Sequence, residues 1–245
     1  DGHSHVAAAQ IPNCIPYDPT FAYELAVIIH DGLRRMVKEQ EDVYYYITVM
    51  NENYAHPELP AGAEAGILKG MYRLRQGGTG PTRVQLLGSG TILNEVIAAA
   101  GLLKQDWNVE ADIWSCPSFT LLAREGNDVA RWNLLHPTDK PRASYVEQCL
   151  KPTQGPVIAS TDYVRAFAEQ IRPFVGRRYT VLGTDGFGRS DTREKLRHFF
   201  EVDRHWIVIA SLTALADEGA LERGRVTEAI KKYGLDPAKP NPLTV

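Results

Sequence analysis

The sequence predicts an α/β protein in two parts: the end of one α/β domain, then a smaller complete domain whose mainly parallel or mixed sheet is covered by helices. Three observations predict it. Between residues 83 and 182, short runs rich in β-branched residues alternate with amphipathic stretches of helical period, the rhythm of a sheet clothed on both faces. Upstream, VYYYITVM (Val43 to Met50) reads as a buried strand preceded by a single helix. Between the two lies Gln76-Gly77-Gly78-Thr79-Gly80-Pro81, the most linker-like stretch of the chain. The division predicted is therefore 1–60, a linker region 61–80, and 81–245. A chain of 245 residues, 44% of them hydrophobic, is enough for one large or two small cores.

In order, residues 1–17 are expected to be irregular, with Pro12 and Pro16 opposing regular structure. Asp18-Pro19 offers an N-cap and a first-turn proline for a helix reaching about Lys38, with Phe21, Leu25, Ile28, Ile29, Leu33 and Met36 on its buried side. After the strand from Val43, residues 51–60 form a loop. Ala61 to Arg75 is predicted helical, with Gly62, Gly66 and Gly70 along one face, where they either permit close packing or weaken the helix. Strands follow at Arg83 to Leu87, Val109 to Trp114, Val157 to Ala159 and Tyr179 to Leu182. Helices are predicted at Thr91 to Gln105, Phe119 to Trp132 and Asp162 to Phe174, then near 191–200, 203–218 and 225–233.

Composition excludes several classes. The formal charge is −3 with the signs interspersed, so no basic stripe for nucleic acid is present. No apolar run reaches the ~20 residues of a membrane span, and none serves as a signal peptide. Cys14, Cys116 and Cys149 are scattered and odd in number, which predicts reduced thiols in a cytoplasmic protein. The first residue is Asp1, not Met, and the opening is polar; a fragment of a longer polypeptide is expected.

Four features carry possible chemistry. In Asp1-Gly2-His3-Ser4-His5, two histidines beside a small residue on a loop suit proton transfer or an anionic substrate, although two nitrogen ligands make a poor metal site. Gly88-Ser89-Gly90-Thr91 between strand and helix could cradle phosphate. It lacks the third glycine of a dinucleotide fingerprint and the lysine of a P-loop, so a tight turn is the plainer account. Gly183 to Ser190 places three glycines in a sharp loop suited to an interface, with Ser190 or Asp191 as cap of the next helix. Asp185-Gly186 has the outline of a thiamine-type metal motif, but the asparagine pair is missing. Asn51 to His56, after the buried strand, stands where α/β folds keep ligands or where a linker would run. No cofactor-binding or metal-ligating residue is assigned.

Taken together, Asp1-Gly2-His3-Ser4-His5, IPNCIPYDPTFAYELAVIIHDGL, RVQLLGSGTILNEVIAAAGLL and YTVLGTDGFGRSDTREKL resemble the end of the transketolase-like thiamine-diphosphate superfamily. VYYYITVMNENY, FTLLAREGNDVARWNLLHP and LGTDGFGRSDTREKLRHFFEVD are similar to the homodimeric pyruvate dehydrogenase component of bacteria. The resemblance implies the end of a pyrimidine-binding domain followed by a transketolase C-terminal-like domain. It implies catalytic roles for His5 first and His3 second, and thiamine diphosphate with Mg held by parts of the enzyme outside this segment. It also implies as partners the rest of its own chain, a second copy, and the lipoyl-bearing acyltransferase core, with no nucleic acid and no membrane. On this reading the segment is mainly scaffold. The competing readings are a non-catalytic docking domain, a small nucleotide-binding protein resting on Gly88-Ser89-Gly90, and another transketolase-like enzyme.

Overall fold

A computed structural model describes residues 2–245; Asp1, the first residue of the opening motif, lies outside the described residues. The chain runs α1 (Ser4–Ala9), β1 (Cys14–Tyr17), α2 (Ala22–Leu33) with a π-turn Arg34–Lys38, β2 (Tyr44–Ile47), α3 (Glu64–Lys69), β3 (Tyr72–Arg75) and β4 (Arg83–Gly88). It continues through α4 (Ile92–Trp107), β5 (Glu110–Ser115), α5 (Phe119–Leu135), α6 (Tyr145–Leu150), β6 (Val157–Ser160), α7 (Arg165–Glu169), α8 (Arg172–Val175), β7 (Tyr179–Leu182), α9 (Arg193–Phe199), α10 (Arg204–Asp217) and α11 (Arg223–Lys232).

The larger sheet has the order β3-β5-β4-β6-β7; β4 to β7 are parallel and β3 is antiparallel to β5. Period-two alternation divides its side chains between two cores. Val84, Leu86, Ile113 and Ile158 meet α4 and α10 on one face. Leu87, Trp114, Val157 and Ala159 meet Phe119, Leu122 and Phe167 on the other. Helix–sheet–helix layering is thus what the alternation in sequence requires. From β4 the chain moves to β5 on one side, then returns to β6 on the other. The switch point is therefore between β4 and β6, where open α/β sheets leave a crevice at the strands' carboxyl ends.

The other sheet is a parallel pair, β1-β2. It packs with α2 and α3 around Ile15, Tyr17, Ile28 and Ile67. Several expectations fail here. Residues 1–17 are not irregular: α1 and β1 form, and Pro16 sits in β1. Because β1 has a ladder on one side only, the missing proline N–H breaks no bond in it. Asp18 does not cap α2, which begins at Ala22; the Asp18 carboxylate is turned into the core and buried. On α2, Glu24 is buried while Ile29 is 45% and Leu33 55% exposed, so the apolar stripe of Ile29, Leu33 and Val37 faces outward. The strand expected to be buried through Met50 is four residues long and half-exposed. The helix expected to reach Arg75 stops at Gly70, whose φ of +103° turns the chain into β3. A Cβ at Gly70 would lie 2.5 Å from the Ser118 carbonyl, and one at Gly66 2.7 Å from Tyr72 Cβ. Of the two readings for these glycines, close packing is the one seen. Strand β3 also draws the end of the stretch read as linker into the larger sheet. The helix predicted from Asp162 to Phe174 is broken into α7 and α8, with Pro173 in the first turn of α8.

All three cysteines are free thiols, with Cys14 and Cys116 buried. No helix among the described residues is long and apolar enough to cross a membrane.

Candidate functional site at the carboxyl ends of the parallel strands

The switch point is filled from above by the chain's own opening segment. Ser89, after β4, shares a 3.0 Å hydrogen bond with Thr161, after β6. The Gly90 amide donates to the Asp18 carbonyl, and Thr20 Oγ1 donates to the Gly90 carbonyl. Gly90 has a φ of +50°, and a Cβ there would lie 2.5 Å from Asp18 Oδ2. Gly88-Ser89-Gly90-Thr91 is therefore a turn that admits Asp18, and the crevice a phosphate would need is occupied by protein.

Asp18, Thr48 and His5 form one line. Thr48 Oγ1 donates to Asp18 Oδ1 at 2.8 Å, so His5 donates to Thr48 through Nε2, also at 2.8 Å. His5 Nδ1 and Asp18 Oδ2 are buried with no hydrogen-bond partner. The imidazole is packed by Tyr46, Tyr163 and Phe167, with ring centroids 4.6 to 5.3 Å away. Burial pulls His5 down to about 4, and burial lifts the Asp18 carboxyl to about 7. The expected loop histidine is thus on α1, fully buried and uncharged at neutral pH. His3, immediately before α1, is exposed and faces a cleft.

That cleft brings two of the four sequence features together. It is lined by Gly2, His3, Met50 and Asp162, by Thr184, Gly186 and Phe187 to Arg189, and by Arg193 and Arg197 of α9, around about 450 Å³. Backbone contacts fix the join: the Val164 amide donates to the Gly2 carbonyl at 2.7 Å, the Thr184 amide to the Tyr163 carbonyl, and Thr184 Oγ1 to the Asp162 carbonyl. The glycines of this loop have defined uses. A Cβ at Gly183 would meet the Tyr163 carbonyl at 2.6 Å, and one at Gly186, whose φ is +111°, the Pro242 carbonyl at 2.5 Å. The cap of α9 is Thr192, which accepts from the Lys195 amide; neither Ser190 nor Asp191 fills that place.

The fourth feature supplies counter-charges. Asn51 accepts from Arg193, and Glu52 pairs with Arg197 through two oxygens. Arg197 also lies 3.6 Å from Glu95, which Arg204 holds at 2.8 Å. Burial raises Asp162 to about 6. Asp18, Thr48, Asp162 and the arginines of α9 were not singled out as site residues from the sequence. Arg189-Ser190-Asp191-Thr192-Arg193, with Arg197 one turn on, carried the only available hint.

A thiamine cofactor needs a metal cage, a diphosphate grip and an available glutamate. Among the described residues no three His, Cys, Asp or Glu side chains gather to hold a metal ion. Glu24, the deeply buried glutamate, already accepts from the Thr20 and Phe21 amides, Tyr72 Oη and Ser115 Oγ. The residues present do not fit that cofactor.

Two family models match the chain. Residues 1–57 match the pyruvate dehydrogenase E1 component middle domain, and residues 70–203 the transketolase-like TK C-terminal domain. The chain is 73% identical, over all its length, to the pyruvate dehydrogenase E1 component of Cupriavidus necator. It is 62% identical to that of Pseudomonas aeruginosa and 54% to that of Escherichia coli K12, over 99% of its length in each case. It spans only 27–28% of these curated relatives. Among solved structures, transketolase from Campylobacter jejuni superposes with a TM-score of 0.59 at 17% identity, covering 86% of this chain and 28% of its own. Transketolase from Pichia stipitis superposes at 0.62 with 14% identity, covering 90% and 28%. At such identity these two speak for the fold alone. With more than half of its residues matched by the C-terminal domain model, the chain belongs to the transketolase-like family.

Proposed function

We propose that this chain is part of a thiamine-diphosphate- and Mg-dependent pyruvate dehydrogenase component. That enzyme decarboxylates pyruvate and passes the two-carbon unit to a lipoyl group on an acyltransferase core in the cytoplasm. The observation that carries the reading is the 73% identity, over the whole chain, to the pyruvate dehydrogenase E1 component of C. necator. Because the residues here do not fit the cofactor, no step on it is assigned to them. Their contribution is to shape one wall of a site and to pack against further polypeptide.

Two features support that packing role. A two-stranded sheet is marginal by itself, and the outward stripe of Ile29, Leu33 and Val37 leaves an apolar helix face open. The rest of the same polypeptide and a second copy are the partners inferred. Within the site, His3 is the side chain proposed to face substrate, able to exchange a proton at one ring nitrogen. His5 is proposed as a positioning residue: its ring, sealed by three aromatics, orients α1 and so aims His3.

The test is turnover by the full-length protein supplied with thiamine diphosphate, Mg²⁺ and a lipoylated acyltransferase domain. Pyruvate-dependent reduction of the lipoyl group is expected. Turnover of ketose phosphates with none of pyruvate would assign the chain to another transketolase-like enzyme.

A further inference from the structure

Beyond the buried Leu235 the chain runs exposed to residue 245 except at two points, Lys239 and Pro242. Each point meets a wall of the His3 cleft. The Pro242 carbonyl oxygen backs Gly186, where a Cβ would lie 2.5 Å from it, and Asp185 ties the same loop to α7 through Arg165. Lys239 Nζ donates to the Phe199 carbonyl at 2.7 Å and to Glu201 Oε1 at 2.9 Å, and it lies over the rings of Phe199 and Trp206. Phe199 is the last residue of α9, the helix that brings Arg193 and Arg197 to the cleft. A cation is favoured at that end of a helix, where carbonyls lack intrahelical donors. Glu201 has a φ of +63°, a left-handed turn that glycine makes more readily. A glutamate held there, its carboxylate on Lys239, indicates that the carboxylate is needed. Between residues 235–243 and the end of β7 lies a cavity of about 410 Å³, and Phe200 borders both this cavity and the cleft. The two points of attachment therefore carry the segment.

We propose that Lys239 is a positioning residue for this cleft: by gripping Phe199 and Glu201 it fastens residues 236–243 to α9, and Pro242 on that segment braces the Gly183–Ser190 loop. One ammonium group thus sets the glycine loop and the end of α9 in register, although it touches no reacting atom. With the grip released, Pro242 withdraws and the loop is free to swing at Gly186 and Gly188. The effect belongs to substrate binding, since the walls it sets are those that line the cleft. The proposal rests on the reading of the cleft as part of a site for pyruvate turnover.

The experiment compares full-length wild type with Lys239→Met, which keeps an apolar stem over the two rings and loses the ammonium group. Hydrogen exchange should quicken about tenfold in the peptides covering 183–190 and 196–203 and stay constant in β6 and α4. The KM for pyruvate should rise about fivefold with kcat kept within about twofold. Glu201→Gly provides a second variant, because glycine suits the left-handed turn while the carboxylate is lost. It should act in the same direction more weakly, since the Phe199 carbonyl still holds Lys239, and combined with Lys239→Met it should add nothing further. If wild type turns over ketose phosphates and not pyruvate, the reading of the site fails, and exchange together with the KM for the ketose phosphate decides the role of Lys239. Unchanged exchange at 183–190 in both variants, faster exchange with an unchanged KM, or additive effects in the double variant would overturn the proposal.

Discussion

Asp18 and His5 are joined through one threonine hydroxyl, yet burial moves them in opposite directions, Asp18 up to about 7 and His5 down to about 4. An acid that holds its proton more tightly when folded stabilises the fold below its unfolded value, near 4. That contribution is lost as pH rises through about 7. A base whose folded value is depressed contributes above its unfolded value, near 6.5, and loses it as pH falls through about 4. Asp18→Asn removes only the first effect. Melting curves of wild type and variant between pH 5 and 8 should therefore diverge in the variant's favour by up to about 3 kcal/mol as pH rises, an upper figure for a shift of this size. Parallel curves would mean that Asp18 is ionised throughout. Gly90→Ala acts at the same place for a steric reason: positive φ combines with a Cβ 2.5 Å from a buried carboxylate. A loss of roughly 2–4 kcal/mol is expected by chemical denaturation.

At the scale of elements, α9 is tied to the β2–α3 loop and to α4 by one guanidinium. Arg197 bonds Glu52, approaches Glu95 and donates to Thr91 Oγ1. Removing that charge takes both hydrogen bonds from half-buried Glu52, which keeps only Arg193 at 3.8 Å, while Glu95 keeps Arg204; Arg197→Met should therefore destabilise by about 1–3 kcal/mol in urea. Glu52→Gln in the same background should restore part of it. The strand–helix alternation from Arg83 to Leu182 was legible because residues buried on both faces write it in β-branched runs, and β7 was placed to the residue. Helix α6 was passed over although Ser144-Tyr145-Val146-Glu147 is a capping box, with Ser144 accepting from the Glu147 amide and Glu147 from the Ser144 amide. Asp18-Pro19 looked like a helix start because local chemistry favours it. The need to close the switch point with a carboxylate outweighed that preference, and no local pattern carries such long-range demand. For the same reason His5 read as a loop histidine: three aromatics 41 to 162 residues away seal it.

On the scale of the whole molecule, the opening segment is clamped onto the carboxyl edge of the larger sheet by Gly2, Asp18, Thr20 and Glu24. Segments distant in sequence, at 2–3, 50, 162, 184, 186–189 and 193–197, thereby face one cleft. The sequence marked two of these regions, 2–3 and 184–189, as candidates separately; only the fold shows that they meet. The chain spans 28% of the length of its curated relative and turns one apolar helix face outward. His3 is exposed and His5 buried, and the roles proposed for them are substrate contact and support. The measurement that tests this division of roles is pyruvate turnover and thermal stability of the full-length protein carrying His3→Gln or His5→Gln. His3→Gln should lower kcat by about a hundredfold with an unchanged melting temperature, and His5→Gln should lower the stability by about 2–4 kcal/mol. Full turnover in His3→Gln, or turnover lost in His5→Gln at wild-type stability, would contradict it.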